Sequence, residues 1–204
     1  MPARTIRTSI VVTVAAAVAL TACGGGVSGT TATTTAAPTT SAAAGSGLNA
    51  TGYTSGVCQA MTAWVNDLQA GSTAIATQVA GASSLDEAKQ DFVSYADEQV
   101  QRTQDLITSI DELGAPDVDQ GAEAHQAIMD LLGQVKSVFE GAKTDAEQLP
   151  TTDLNSFLDG VTKLTDNITS GMSDIGDPFA GLSAPELEQA GNENPDCQTL
   201  GAGS

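Results

Sequence analysis

Residues 117–150 read DVDQGAEAHQAIMDLLGQVKSVFEGAKTDAEQLP, and their spacing decides the fold class. Val118, Gly121, His125, Ile128, Leu132, Val135, Phe139, Ala142, Ala146 and Leu149 recur at alternating steps of three and four. Such a series occupies one face of an α-helix, because a turn takes about 3.6 residues. Asp117, with Gln120 three positions on, supplies a start signal, and Pro150 supplies the stop.

The same period occurs on both sides of this stretch. Upstream, Phe92, Ala96, Thr103, Leu106, Ile110 and Leu113 form a second line, with Gln99 filling its one polar gap. Ser84 and Glu87 give that segment a capping-box start, and Gly114 and Pro116 end it. Further upstream, from about Thr54, Val57, Met61, Trp64, Leu68, Gly71 and Ile75 make a first line. Downstream, Thr151 or Thr152 is placed to cap a fourth helix carrying Leu154, Phe157, Val161, Leu164, Ile168, Gly171 or Met172, and Ile175.

Four amphipathic stripes must bury one another, and 3–4 spacing favours packing about 20° from parallel. The breaks at 81–83, 114–116 and 150–151 are short, so successive helices should be antiparallel neighbours. The expected fold is all-α: an up-down-up-down four-helix bundle over residues 51–178, followed by an irregular C-terminal tail, 179–204. In that tail Ser183-Ala184-Pro185-Glu186 can start a turn or two of helix, Asn192–Asp196 reads as a loop, and Leu200–Ser204 should fray. Glycines inside the helices each cost about 1 kcal/mol relative to alanine. Those on the stripes permit close approach, whereas Gly133 and Gly160 lie off them.

The chain holds 25 acidic and seven basic residues, a formal charge of −18. That excess repels nucleic acid and argues against a nucleic-acid partner. Asp91, Glu98, Asp105 and Glu112 stand seven residues apart on one outward line of the second helix. They read first as a solvated face and second as a docking stripe for a basic partner. Neighbouring members sit about 10 Å apart, near the screening length, so they repel one another only feebly.

Chemistry-bearing patterns are scarce, and the sequence assigns no catalytic, cofactor or metal residues. The single histidine, His125, has Ala122 and Glu123 where a di-iron bundle needs a Glu-x-x-His pair, and no second histidine exists. It reads as a hydrogen-bonded group at the core's edge. Asp117-x-Asp119-x-Gly121 begins like a calcium loop, but Ala122 and Ile128 stand where glycine and glutamate are required. Trp64 belongs to the first stripe and is expected in the core, while Tyr53 precedes the helix and is expected at the surface.

The N-terminus fixes the expected location. Arg4 and Arg7 precede an apolar run, Ile10–Leu20, interrupted only by Thr13 and too short to span a bilayer. Leu20-Thr21-Ala22-Cys23 then resembles the lipobox of bacterial lipoproteins. The resemblance implies a signal peptide over 1–22, a diacylglyceryl group on Cys23, and residence on the extracytoplasmic face of the cell membrane. Loss of 1–22 removes two arginines and takes the formal charge to −20. Residues 24–50 are nearly all Gly, Ser, Thr, Ala and Pro. They should form a disordered tether with a root-mean-square reach of roughly 30 Å. Its threonine clusters resemble those of glycosylated stalks. With Cys23 lipidated, Cys58 and Cys197 remain, and an even pair in an exported chain reads as one disulfide. The chain as a whole resembles the small, exported helical lipoproteins of actinobacteria. The expected function is a non-enzymatic, lipid-anchored acidic module presenting a surface to a protein or envelope partner. The alternative is a carrier holding a small apolar ligand between its helices.

Overall fold

The computed structural model describes residues 47–175 and 183–202. The signal segment, Cys23 and nearly all of the tether lie outside them. The described chain is all-helical, in the order α1 (Ala50–Gly81), α2 (Leu85–Asp111), α3 (Gly121–Glu147), α4 (Leu154–Asp174), α5 (Pro185–Glu193) and α6 (Pro195–Ala202).

Local chemistry sets the helix ends. Asn49 caps α1, its side chain accepting from the Gly52 amide at 2.8 Å. The helix therefore starts one turn earlier than the hydrophobic period suggests. Tyr53 becomes part of the buried face, at 2% exposure, which corrects the expectation that it lies at the surface. Ser84 caps α2 through the Glu87 amide. Glu87 reaches back to Ser83, accepting from its amide at 2.7 Å and its hydroxyl at 2.5 Å. The α4 cap is Asp153, bonded to the Ser156 amide at 3.0 Å, in place of Thr151 or Thr152. An ionised carboxylate outcompetes a hydroxyl where free N–H groups and the helix dipole meet.

The start of α3 differs more. Asp117 does not cap it; residues 117–120 turn first, with Gln120 left-handed at φ 54°, and the helix opens at Gly121. A Cβ on Gly121 would lie 2.2 Å from the Pro116 carbonyl oxygen. Only glycine allows this turn to close against the chain before it. At the end of α2, Gly114 has φ 65°, the left-handed stop expected there.

Pairwise contacts show how the helices lie. Trp64 meets Thr103 and Asp67 meets Arg102 across α1 and α2. Asp97 meets Lys143 across α2 and α3, which share the most extensive packing. Gly171 meets Val138 and Asn167 meets Asp145 across α3 and α4. Across α1 and α2, and across α3 and α4, rising numbers on one helix face falling numbers on the other. Two apolar clusters fill the interior. One gathers Leu106, Ile110 and Leu132 with Val57, Met61, Trp64 and Ile128. The other, where α1 hands over to α2 and α3 to α4, gathers Ala88, Leu149 and Phe157 with Val79, Leu85, Phe92 and Val161. Gly160 belongs there too: a Cβ would lie 2.8 Å from Leu149, so this glycine has the packing role its position off the stripe conceals.

The described part of the C-terminal tail is helical, not irregular. Pro185 and Pro195 occupy the first turns of α5 and α6, where a missing N–H costs nothing. Asn194 accepts from the Asp196 amide at 2.8 Å, so the expected loop shrinks to one capping residue. Both short helices pack on α1, and Cys58–Cys197 joins α1 to α6 with Cα atoms 5.1 Å apart.

Candidate functional site

The acidic stripe falls on α2 as far as Asp105, with Glu112 just past its last residue. Its members are not equivalent. Asp105 and Glu112 are exposed, and Asp91 is half-buried. Glu98 accepts from Arg102 at 2.6 Å, and Arg102 also reaches Asp67 of α1 at 2.8 Å. The two carboxylates raise the Arg102 pKa, Glu98 foremost, so part of the stripe's charge is spent joining α1 to α2. Beside it, Asp97 pairs with Lys143, which holds its carboxyl below the usual range.

Inside the α1–α2 seam lies a small polar group. Thr103 is fully buried; its hydroxyl accepts from the Trp64 indole N–H at 3.2 Å and donates to the Gln99 carbonyl oxygen at 2.8 Å. Trp64 is half-buried at the edge of its cluster. Gln99 is also fully buried, and neither its amide oxygen nor its amide nitrogen has a partner. Desolvating an amide without a hydrogen bond costs about 1–3 kcal/mol. Gly71 of α1 crosses directly over it; a Cβ there would come within 3.1 Å of the Gln99 nitrogen. The sequence marks Gln99 as a polar gap but gives no sign that it stays unpaired.

At the other end of α1, the Tyr53 hydroxyl lies 3.0 Å from His125 Nδ1, with the rings edge to face. Burial pushes the Tyr53 phenol up to about 12. The phenol and the imidazole thus satisfy one another across α1 and α3. This leaves His125 with a structural partner, as its place on the α3 stripe suggests. Among the described residues no group of three or more His, Cys, Asp or Glu side chains is placed to hold a metal ion.

A cleft of about 600 Å³ lies between α3 and α4. α4 is held at its start, where Phe157 packs against Phe92 at 6.3 Å between ring centroids. Toward its other end the cleft opens. Met129, Gly133, Gln134 and Val138 form one wall, and Gly171 and Ile175 the other, with Asp130 and Asp174 among the lining residues. It is open to solvent along its side. A Cβ on Gly133 would meet nothing within 4 Å. Leu154 and Leu158 add an apolar pair on the outer face of α4, 52% and 43% exposed.

No protein family, curated protein or solved structure matches this chain. No helix among the described residues is long and apolar enough to cross a membrane.

Proposed function

We propose that this chain is a lipid-anchored extracytoplasmic binding module without enzymatic activity. In this reading Cys23 carries the lipid, residues 24–49 are the tether, and α1–α4 make an up-down-up-down bundle. The acidic line of α2 then meets a basic protein or envelope partner. The observation that carries the reading is the pairing of Cys58 with Cys197 in a chain whose one other cysteine ends the apolar N-terminal run. Disulfides persist in oxidising compartments outside the cytoplasm, which suits an exported domain. Removing the third cysteine tests the anchor. Cys23→Ala should move the protein out of the detergent phase without unfolding the domain, and unchanged partitioning would sink the lipoprotein assignment. Changing Asp91, Asp105 to Asn and Glu98, Glu112 to Gln together should abolish capture of the partner from envelope extract. Capture by the unaltered chain should fall with added salt.

A second reading, a carrier for a small ligand held between helices, is favoured by the α3–α4 cleft. The cleft has the volume for it. Being open and partly polar, it is unlike a dry internal cavity.

A further inference from the structure

The cleft between α3 and α4 has a chemistry of its own, apart from the α2 stripe. Its volume, about 600 Å³, falls within the roughly 300–1,000 Å³ usual for small-molecule sites. Met129, Val138 and Ile175 give it apolar walls. Asp130 on α3, whose carboxylate also accepts from the Gln126 side chain at 2.8 Å, and Asp174 on α4 are both exposed lining residues, and among the described residues no lysine, arginine or histidine lines it. Gly133 lies in its wall with open space beyond the Cα. That glycine is not needed for helix packing, and it costs α3 about 1 kcal/mol of helix propensity relative to alanine. The space it leaves belongs to the cleft.

We infer that the α3–α4 cleft takes a small organic cation with an apolar body, such as an alkylammonium. The inference rests on the carrier reading and gives its ligand a chemical class. The apolar portion lies on Met129, Val138 and Ile175, filling the space opposite Gly133. The cationic head sits between Asp130 and Asp174, with part of its surface in water. An anionic amphiphile meets two carboxylates and no cation there, in a chain of formal charge −18. A bare metal ion finds two carboxylates, fewer than the ligand sets metals require.

The test uses the full-length chain carrying Cys23→Ala, so that no attached acyl chain competes. Octyltrimethylammonium, 1-octanol, octyl sulfate and tetramethylammonium are titrated separately by calorimetry, all below micelle-forming concentrations. Amide NMR shifts locate any binding. Octyltrimethylammonium should bind saturably, one per chain, with shifts centred on residues 129–138 and 171–175. Octanol should bind about tenfold more weakly, the loss expected for two exposed ion pairs. Asp130→Asn with Asp174→Asn should impose the same tenfold loss on the ammonium and leave octanol unchanged. Gly133→Leu should abolish binding with the circular dichroism intact. Should that variant fail to fold, the carboxylate pair carries the test by itself. Equal binding of octanol and the ammonium would overturn the cation assignment while leaving the carrier reading standing. Octyl sulfate binding in the cleft, or tetramethylammonium matching the octyl compound, would also overturn it. Absence of saturable binding by both octyl cation and octanol would remove the carrier reading as well.

Discussion

Helix α3 has two neighbours, and they meet it very differently. Its packing with α2 is the most extensive between described helices, with Leu132 at 1% exposure between Leu106 and Ile110. Against α4 only Phe157 and Leu164 of the partner helix are buried, and the far half of the interface parts into a cleft. Both neighbours carry an apolar stripe, that of α2 interrupted by the polar Gln99 and Thr103. The difference comes from side-chain volume at matched positions. The α2 side sets Leu and Ile against Leu, whereas the α4 side sets Gly171 against Val138 near Gly133 and Ser137. A stripe tells a helix which way to face; the volumes on it decide how much of that face is covered.

The sharpest test is the same truncation on both sides. Leu132→Ala should cost about 4–5 kcal/mol and Leu164→Ala about 2 kcal/mol, the two ends of the usual range for buried leucine. Urea unfolding measures both, and equal losses would erase the distinction drawn between the two sides of α3. Next in size is the covalent link. Replacing Cys58 and Cys197 with serine should cost about 2–4 kcal/mol by releasing a closed loop in the unfolded chain. Amide exchange should quicken first in residues 183–202, which pack on α1, and last at the α2–α3 seam. The third concerns the α1–α2 seam, tight yet polar. Gln99→Met keeps a flexible, similar volume and removes two unpartnered atoms, so it should raise stability by about 1–2 kcal/mol in urea. A loss instead would mean the amide is satisfied in solution.

The smallest effects are in pH. The carboxyls of Asp97, Asp153 and Glu87 lie below their ordinary values, held by Lys143, the Ser156 amide and Ser83 respectively. A depressed carboxyl stabilises the fold above its unfolded pKa, and that share is lost as pH falls through the folded value. Melting temperature should therefore drop below about pH 4, and Asp97→Asn and Asp153→Asn should each flatten the drop. Tyr53 acts in the opposite sense. Its phenol rises from 10.0 to about 12, so its share is complete below pH 10 and fades as pH climbs through 12. Tyr53→Phe should flatten that alkaline limb.

Much of this arrangement is legible in the sequence. The helical period places α1–α4, and the stripes name most of the interior, because a 3.6-residue period is dictated by backbone geometry alone. What escapes is decided across space. Tyr53 is misplaced because Asn49 hides as a cap in a Gly/Ser/Thr-rich stretch, and the apolar period alone starts the helix a turn later. Gly160 looks purposeless until Leu149 is seen against it. The helices α5 and α6 are too short to announce themselves by period, and their burial rests on Ala184, Ala190 and a sulfur bridge. Of the site, the α2 line and the cysteine pair are readable, while the cleft is not. It arises from the mismatch between two helices, and no single stretch of sequence records that.

The bond between Cys58 and Cys197 also defines a load path. The chain enters the domain at Asn49, and its last described helix leaves from the same sulfur bridge. Tension applied between the two ends runs along residues 50–58, across the bridge, and out through 197–202. The long middle of the chain, with the α2–α3 core, lies off that covalent path as a closed loop, touched on the entering side where Leu48 accepts from the Asp117 amide at 2.9 Å. Pulled at both ends, the described chain would extend chiefly through these two short segments before its covalent path resisted.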